Sequence, residues 1–160
     1  MEPIWSPWRM NYIMNHERTA DCIFCKAMHE TDGPENLVVY RGKDAFVILN
    51  RYPYTSGHVM VVPYLHTPCL EALPVDARAE LMELSNQAIT VLRQIYGPEG
   101  FNLGANLGAA AGAGIADHLH LHVVPRWRGD TNFMATVAHA RVLPESLEDT
   151  YGRISSAWKQ

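Results

Sequence analysis

Cysteine is scarce in this chain. Only Cys22, Cys25 and Cys69 are present, an odd set that cannot close into a disulfide framework. In a reducing compartment a Cys-x-x-Cys pair points instead to metal or redox chemistry. Charge is also sparse: 19% of residues are charged and the formal balance is -4. That excludes the concentrated basic surface which a nucleic-acid partner demands. No apolar run approaches the ~20 residues needed to cross a bilayer, so no membrane partner is expected. The opening stretch MEPIWSPWRMNYI breaks its apolar residues with prolines and aromatics where an export signal needs an unbroken run, and a cytoplasmic location is expected. Repeats and low-complexity linkers are missing too.

What is present suits one globular domain over residues 1–160, with 48% hydrophobic residues. Its parts are an N-terminal segment, 1–30, carrying the cysteine pair, a core at about 36–130, and a tail, 131–160. LVVYRG from Leu37 and AFVILN from Ala45 are rich in β-formers and flank Gly42–Asp44, which predicts a hairpin. A third strand is expected at His58–Pro63, and others at Phe101–Asn106 and His118–Val124. Between Asp76 and Tyr96, Leu81, Leu84, Ala88, Leu92 and Ile95 recur at three- and four-residue spacing, which predicts an amphipathic helix ended by Gly97-Pro98. A weaker helical pattern follows Pro144. Strands with a long helix set apart from them indicate α+β, with an antiparallel sheet of about five strands, one long helix and a shorter C-terminal one.

The chemistry concentrates in Asp117-His-Leu-His-Leu-His-Val-Val-Pro125. Polar and apolar residues alternate there, so a strand would carry His118, His120 and His122 on one face, ~6.6 Å apart, with Leu119, Leu121 and Val123 toward the core. The segment follows GANLGAAAGAGIAD, whose glycines allow backbone to approach a ligand closely. Imidazole, with a reference pKa of ~6.5, keeps a lone pair at neutral pH and is a competent nucleophile toward phosphorus. Neighbouring imidazoles can donate hydrogen bonds to phosphoryl oxygens as charge builds.

His-Leu-His-Leu-His-Val-Val resembles the histidine-triad signature. WSPWRMNYI, CIFC, FVILNRYPYTSGHVMVVPYLH, ANLG, AGAGIADHLHLHVVPRWRGDTNFM and RVLPE are similar to the bacterial branch of that family that includes diadenosine tetraphosphate (Ap4A) phosphorylases and hydrolases. The resemblance runs from about Trp5 to Thr150. It implies a nucleotide-binding enzyme that cleaves dinucleoside polyphosphates at the α-phosphorus, with His120 as the nucleophile. It further implies that His122 binds the phosphoryl oxygens, that His58 lies next to the phosphate site, and that Asn50 holds the ribose. Phe46, Ile48 and Leu49 would wall the base pocket, while Asn106, Gly108, Gly112 and Gly114 would lie near the phosphates. Many relatives carry a serine or glutamine just before the triad, where this chain has Ala-Gly-Ala-Gly-Ile. Phosphate contacts there would come from backbone or from a co-substrate such as inorganic phosphate. An adenosine 5'-phosphoramidase would use the same residues, and a binding module without turnover is the alternative of another class.

Cys22-x-x-Cys25 has a spacing common in zinc sites but needs two more ligands, for which His66 and His118 are the candidates; the plain alternative is a pair of packed thiols with an exposed His66. The resemblance implies that all four join in a closed, structural Cys2His2 zinc site. Cys69 is expected to be buried, and His16, His29 and His139 to lie on the surface. Trp5, Trp8 and Tyr12 are expected to pack against the body. The family also implies a homodimer built through the 76–96 helix and an edge strand.

Overall fold

The computed structural model describes residues 22–130 and 144–158. Five strands form one antiparallel sheet in the order β1-β2-β3-β5-β4: β1 (Val38–Arg41), β2 (Ala45–Leu49), β3 (Val59–Pro63), β4 (Gly100–Gly104) and β5 (Leu121–Arg126). The expected hairpin is present, with Phe46 opposite Arg41 and the Gly42 N–H donating to the Ala45 carbonyl at 2.8 Å. Every residue of β2 and β3 is buried, so both faces of the sheet centre are covered and the strands read as continuous apolar runs rather than alternating ones.

Among the described residues three α-helices accompany the sheet: α1 (Ile23–His29), α2 (Val75–Tyr96) and α3 (Leu147–Trp158). On α2, Ala77, Leu81, Leu84, Ala88 and Leu92 form the buried stripe, laid across β2, β3 and β5, while α3 packs on α2 and β1. The α2 stop is as expected. Gly97 takes the left-handed conformation at φ 56° and donates its N–H to the Arg93 carbonyl, a conformation glycine adopts without steric penalty. The Tyr96 hydroxyl on α2 donates to the Glu145 carboxylate, which also takes the Thr150 hydroxyl at 2.9 Å and the Arg153 guanidinium. Burial and the Glu145 charge push the Tyr96 phenol up, so it stays a donor.

α1 was not expected from the sequence. Its seven residues, IFCKAMH, carry no side-chain N-cap, too little for a helical signal. Tertiary contacts hold it: the Arg41 guanidinium on β1 donates to the carbonyls of Ala27, Met28 and Glu30 at 3.0–3.2 Å and to Asp32. These carbonyls belong to the helix end, where backbone acceptors lack intrahelical partners.

The strand at the triad is shorter than expected. β5 begins at Leu121, so of the three histidines only His122 lies in the ladder, paired with Met60. His118 and His120 precede the strand, where the Leu119 N–H donates to the Thr67 carbonyl at 2.8 Å. The reason lies in β3, whose Pro63 carbonyl accepts from the His118 ring instead of from a backbone N–H. The ladder therefore ends early. Cys69 is exposed, contrary to the buried position expected. Trp5, Trp8, Tyr12, His16 and His139 fall outside the described residues.

Candidate functional site

A cleft of about 770 Å³ opens between α1, the segment before β1, the end of β2, and the segment 106–122. Of the residues singled out in the sequence, Ile48, Leu49, Asn50, Asn106, Gly112, Gly114, His120 and His122 line it. The register explains part of this, because Ile48, Met60 and His122 stand in one row across β2, β3 and β5. Phe46 is a correction: it is fully buried and stacks on Tyr64, with ring centroids 5.5 Å apart, and does not line the cleft. Sequence reasoning missed the wall supplied by α1, which contributes Ile23, Phe24 and Ala27, and the residues Asn36 and Leu37 before β1.

The three imidazoles are neighbours: Phe24 touches both the His118 and the His120 rings, at 5.4 and 5.1 Å between centroids, and His120 lies 4.9 Å from His122. Their backbone partners assign the tautomers, since a carbonyl can only accept and an N–H can only donate. His120 places Nδ1 2.9 Å from the His118 carbonyl. Nδ1 therefore carries the proton, and the lone pair sits on Nε2. Burial holds the His120 pKa below the ordinary imidazole value, so the ring is neutral near pH 7.

His58 is completely buried, one step behind the cleft. The Tyr54 N–H donates to its Nδ1 at 3.1 Å, which puts the proton on Nε2, and that group faces Nδ1 of His122 at 2.9 Å. His122 must then accept through Nδ1 and carry its own proton on Nε2. Side by side, then, stand a lone pair on His120 and an N–H on His122. The Asn50 side-chain Oδ1 accepts the Tyr52 N–H at 2.9 Å, with its Nδ2 3.4 Å from His58 Nδ1. Asn106 ties its amide to the Gly112 carbonyl at 3.5 Å, and Gly112, at φ 87°, spends its N–H on Ala109.

His118 has different partners. Its Nε2–H donates to the Pro63 carbonyl at 2.9 Å, leaving the Nδ1 lone pair 3.3 Å from Cys22 Sγ and 3.7 Å from Cys25 Sγ. His66 Nδ1 lies 3.2 Å from Cys25 Sγ, and the four ligand atoms all fall within 4.8 Å of one another. Tetrahedral zinc with its usual Zn–S and Zn–N distances separates sulfur from nitrogen by about 3.6 Å, which these contacts bracket. A ligand imidazole anchored by its second nitrogen on a carbonyl is also the usual outer-shell arrangement. Burial and the neighbouring Cys22 push the Cys25 thiol up, an effect that a bound cation would reverse. The residues fit zinc. They sit outside the cleft but against its parts: Cys22 immediately precedes α1, and the His118 carbonyl holds His120. His29 is exposed, as expected.

The profile of the HIT domain family matches residues 33–129. The chain belongs to the HIT family. A Mycobacterium tuberculosis protein described as AP-4-A phosphorylase is 42% identical over 165 residues, covering 99% of this chain and 85% of that protein. Among solved structures, a Zn-bound histidine triad family protein from Mycobacterium smegmatis superimposes with a TM-score of 0.69 at 27% identity, covering 88% of this chain and 94% of that one. A hypothetical histidine triad nucleotide-binding protein from Sulfolobus tokodaii gives the same TM-score and identity over 86% of this chain and 92% of the other. The α+β fold of this HIT protein is that of its structural neighbours. Among the described residues no helix is long and apolar enough to cross a membrane.

Proposed function

We propose that this HIT protein cleaves dinucleoside polyphosphates of the Ap4A type at the α-phosphorus through a covalent nucleotidyl-His120, with inorganic phosphate as the final acceptor. The observation that carries the reading is the tautomer assignment. The His118 carbonyl takes the Nδ1 proton of His120 and so leaves Nε2 as a nucleophile inside the cleft. The resemblance to a 42% identical AP-4-A phosphorylase supports the choice of substrate.

In the first step the Nε2 lone pair bonds to the α-phosphorus and the bridging P–O bond breaks, with its electrons leaving on the departing ATP. His122 Nε2–H donates to the phosphoryl oxygens as charge gathers there, a contribution made in a partly dry site where it counts for more than in water. A phosphate oxygen then attacks the same phosphorus, the P–N bond breaks, and ADP leaves while His120 regains its lone pair. Asn50 would hold the ribose, Ile48 and Leu49 would wall the base, and Asn106, Gly112 and Gly114 would border the phosphates. Gly112 contributes shape rather than its N–H, which Ala109 occupies.

Cys22, Cys25, His66 and His118 would hold one structural zinc, and the Zn-bound Mycobacterium smegmatis relative supports this assignment. Bound there, the ion contributes folding energy and no open coordination position. We further infer a homodimer, joined at the exposed edge strand β4, whose Leu103 projects to solvent, and a cytoplasmic setting.

Product analysis with and without phosphate tests the proposal. A phosphorylase releases ADP and ATP from Ap4A at a rate that saturates in phosphate. AMP and ATP released at a rate indifferent to phosphate would make it a hydrolase with the same nucleophile.

A further inference from the structure

One polar group in the cleft wall has no use in the reaction above. Asn36 lines the cleft and is 6% exposed. Its Oδ1 accepts two backbone N–H groups, from Gly33 and Val38, both at 3.1 Å. Only the oxygen end of an amide can accept, so these bonds assign its orientation and put the NH2 group on the other side. There, Nδ2 is sealed from water and has no hydrogen-bond partner. Ser56 Oγ shares that condition but is not a cleft residue. An unsatisfied buried donor is unusual in a folded protein and calls for a reason.

The local backbone adds a second sign. Leu37, the next residue, has φ 65° and is the only non-glycine residue with positive φ among those described. Strain of this kind persists where the surroundings enforce it and gathers at ligand clamps. Here it is enforced by the Asn36 bonds on both sides and by the Leu49 N–H donating to the Leu37 carbonyl at 3.0 Å. The same cleft is lined by the apolar Phe24, Ala27, Leu37, Ile48 and Leu49 together with the polar Glu35, Asn50 and Arg51. Apolar side chains beside a buried donor suit a heteroaromatic base better than a phosphate or a sugar.

We propose that Asn36 reads the base of the bound nucleotide by donating from Nδ2 to an unprotonated ring nitrogen of adenine. This rests on the reading of the cleft as a nucleotide site. Because the amide is closed to water, the base reaches it through a small side-chain shift in the wall, as is common on ligand entry. A base that presents an N–H on that edge would set donor against donor and be rejected.

The test removes one ring nitrogen at a time from the ligand. Binding of AMP, 1-deaza-AMP, 3-deaza-AMP and 7-deaza-AMP to the wild-type protein is measured by calorimetry. One analogue should bind about 10- to 100-fold more weakly than AMP, the effect of leaving a buried donor unpaired, and the other two within about threefold. In Asn36→Asp, which keeps an acceptor for Gly33 and Val38 but loses the donor, AMP should weaken similarly and the deaza penalty should vanish. If all three analogues match AMP, or if the penalty persists undiminished in Asn36→Asp, the inference about Asn36 is wrong while the nucleotide site stands. If AMP itself does not bind, the nucleotide reading of the cleft fails instead. Should the variant not fold, the three analogues on wild-type protein still decide.

Discussion

Replacing His58 by phenylalanine tests the chain of tautomers behind the cleft. The ring is kept, so packing against Tyr54, 4.8 Å away between centroids, survives. The ring's polar contacts are lost, among them the Tyr54 N–H to Nδ1 at 3.1 Å, the Nε2 to His122 contact at 2.9 Å and the Asn50 amide nitrogen at 3.4 Å. With nothing to donate to Nδ1, His122 can take the opposite tautomer and turn a lone pair toward the phosphoryl oxygens. Loss of one well-placed donor to a developing oxyanion costs about 10²- to 10³-fold in kcat. Since His122 can still adopt the productive tautomer part of the time, the lower end, about 100-fold, is expected. KM should change little, because the charge develops in the transition state. Leaving buried groups unsatisfied costs about 1–3 kcal/mol each, so a lower melting temperature accompanies the effect. His58→Gln, whose amide can still donate toward His122, should recover part of kcat without restoring the ring. The assay is steady-state release of ATP from Ap4A at saturating phosphate. A folded His58→Phe protein with kcat within twofold of wild type would refute the assignment of His58 as a positioning residue.

Changing Cys22 and Cys25 together to serine should remove about one zinc per chain, read by elemental analysis, and lower the melting temperature, because a closed site contributes folding energy; metal-replete wild-type protein without zinc would overturn the site. The same variant should bind AMP more weakly, since Cys22 anchors the α1 wall of the cleft. Arg41→Ala removes the donor to three carbonyls at the α1 terminus and should cost about 1–3 kcal/mol in denaturant unfolding, with a weaker AMP affinity; unchanged affinity would show that α1 does not need this clamp. Leu92→Ala, at a fully buried position of α2, should lose about 2–5 kcal/mol with kcat near wild type for the protein that remains folded.

Much of this architecture is legible in the chain. The 76–96 spacing predicts α2 to within one residue, because the stripe and the Gly97-Pro98 stop agree. Gly42–Asp44 predicts the first hairpin for the same reason of local consistency. The histidine alternation is legible as a cluster, but where the strand carrying it begins is not. Period two describes a strand, yet His118 is drawn toward the cysteines and toward Pro63, a long-range competition invisible in local spacing. α1 is illegible because its stability comes from Arg41, thirteen residues beyond Met28. Asn36 escapes notice for a different reason: in TDGPENL it reads as an ordinary turn residue, and only burial reveals its orphaned donor.

The central claim is the covalent intermediate on His120. Wild-type protein mixed with Ap4A in the absence of phosphate, quenched in alkaline denaturant to preserve the P–N bond, digested and examined by mass spectrometry reports it directly. The account predicts an adenylyl adduct on His120 that disappears when phosphate is added before the quench, and no adduct in His120→Ala. An adduct on another residue, or turnover at the wild-type rate in His120→Ala, would contradict it.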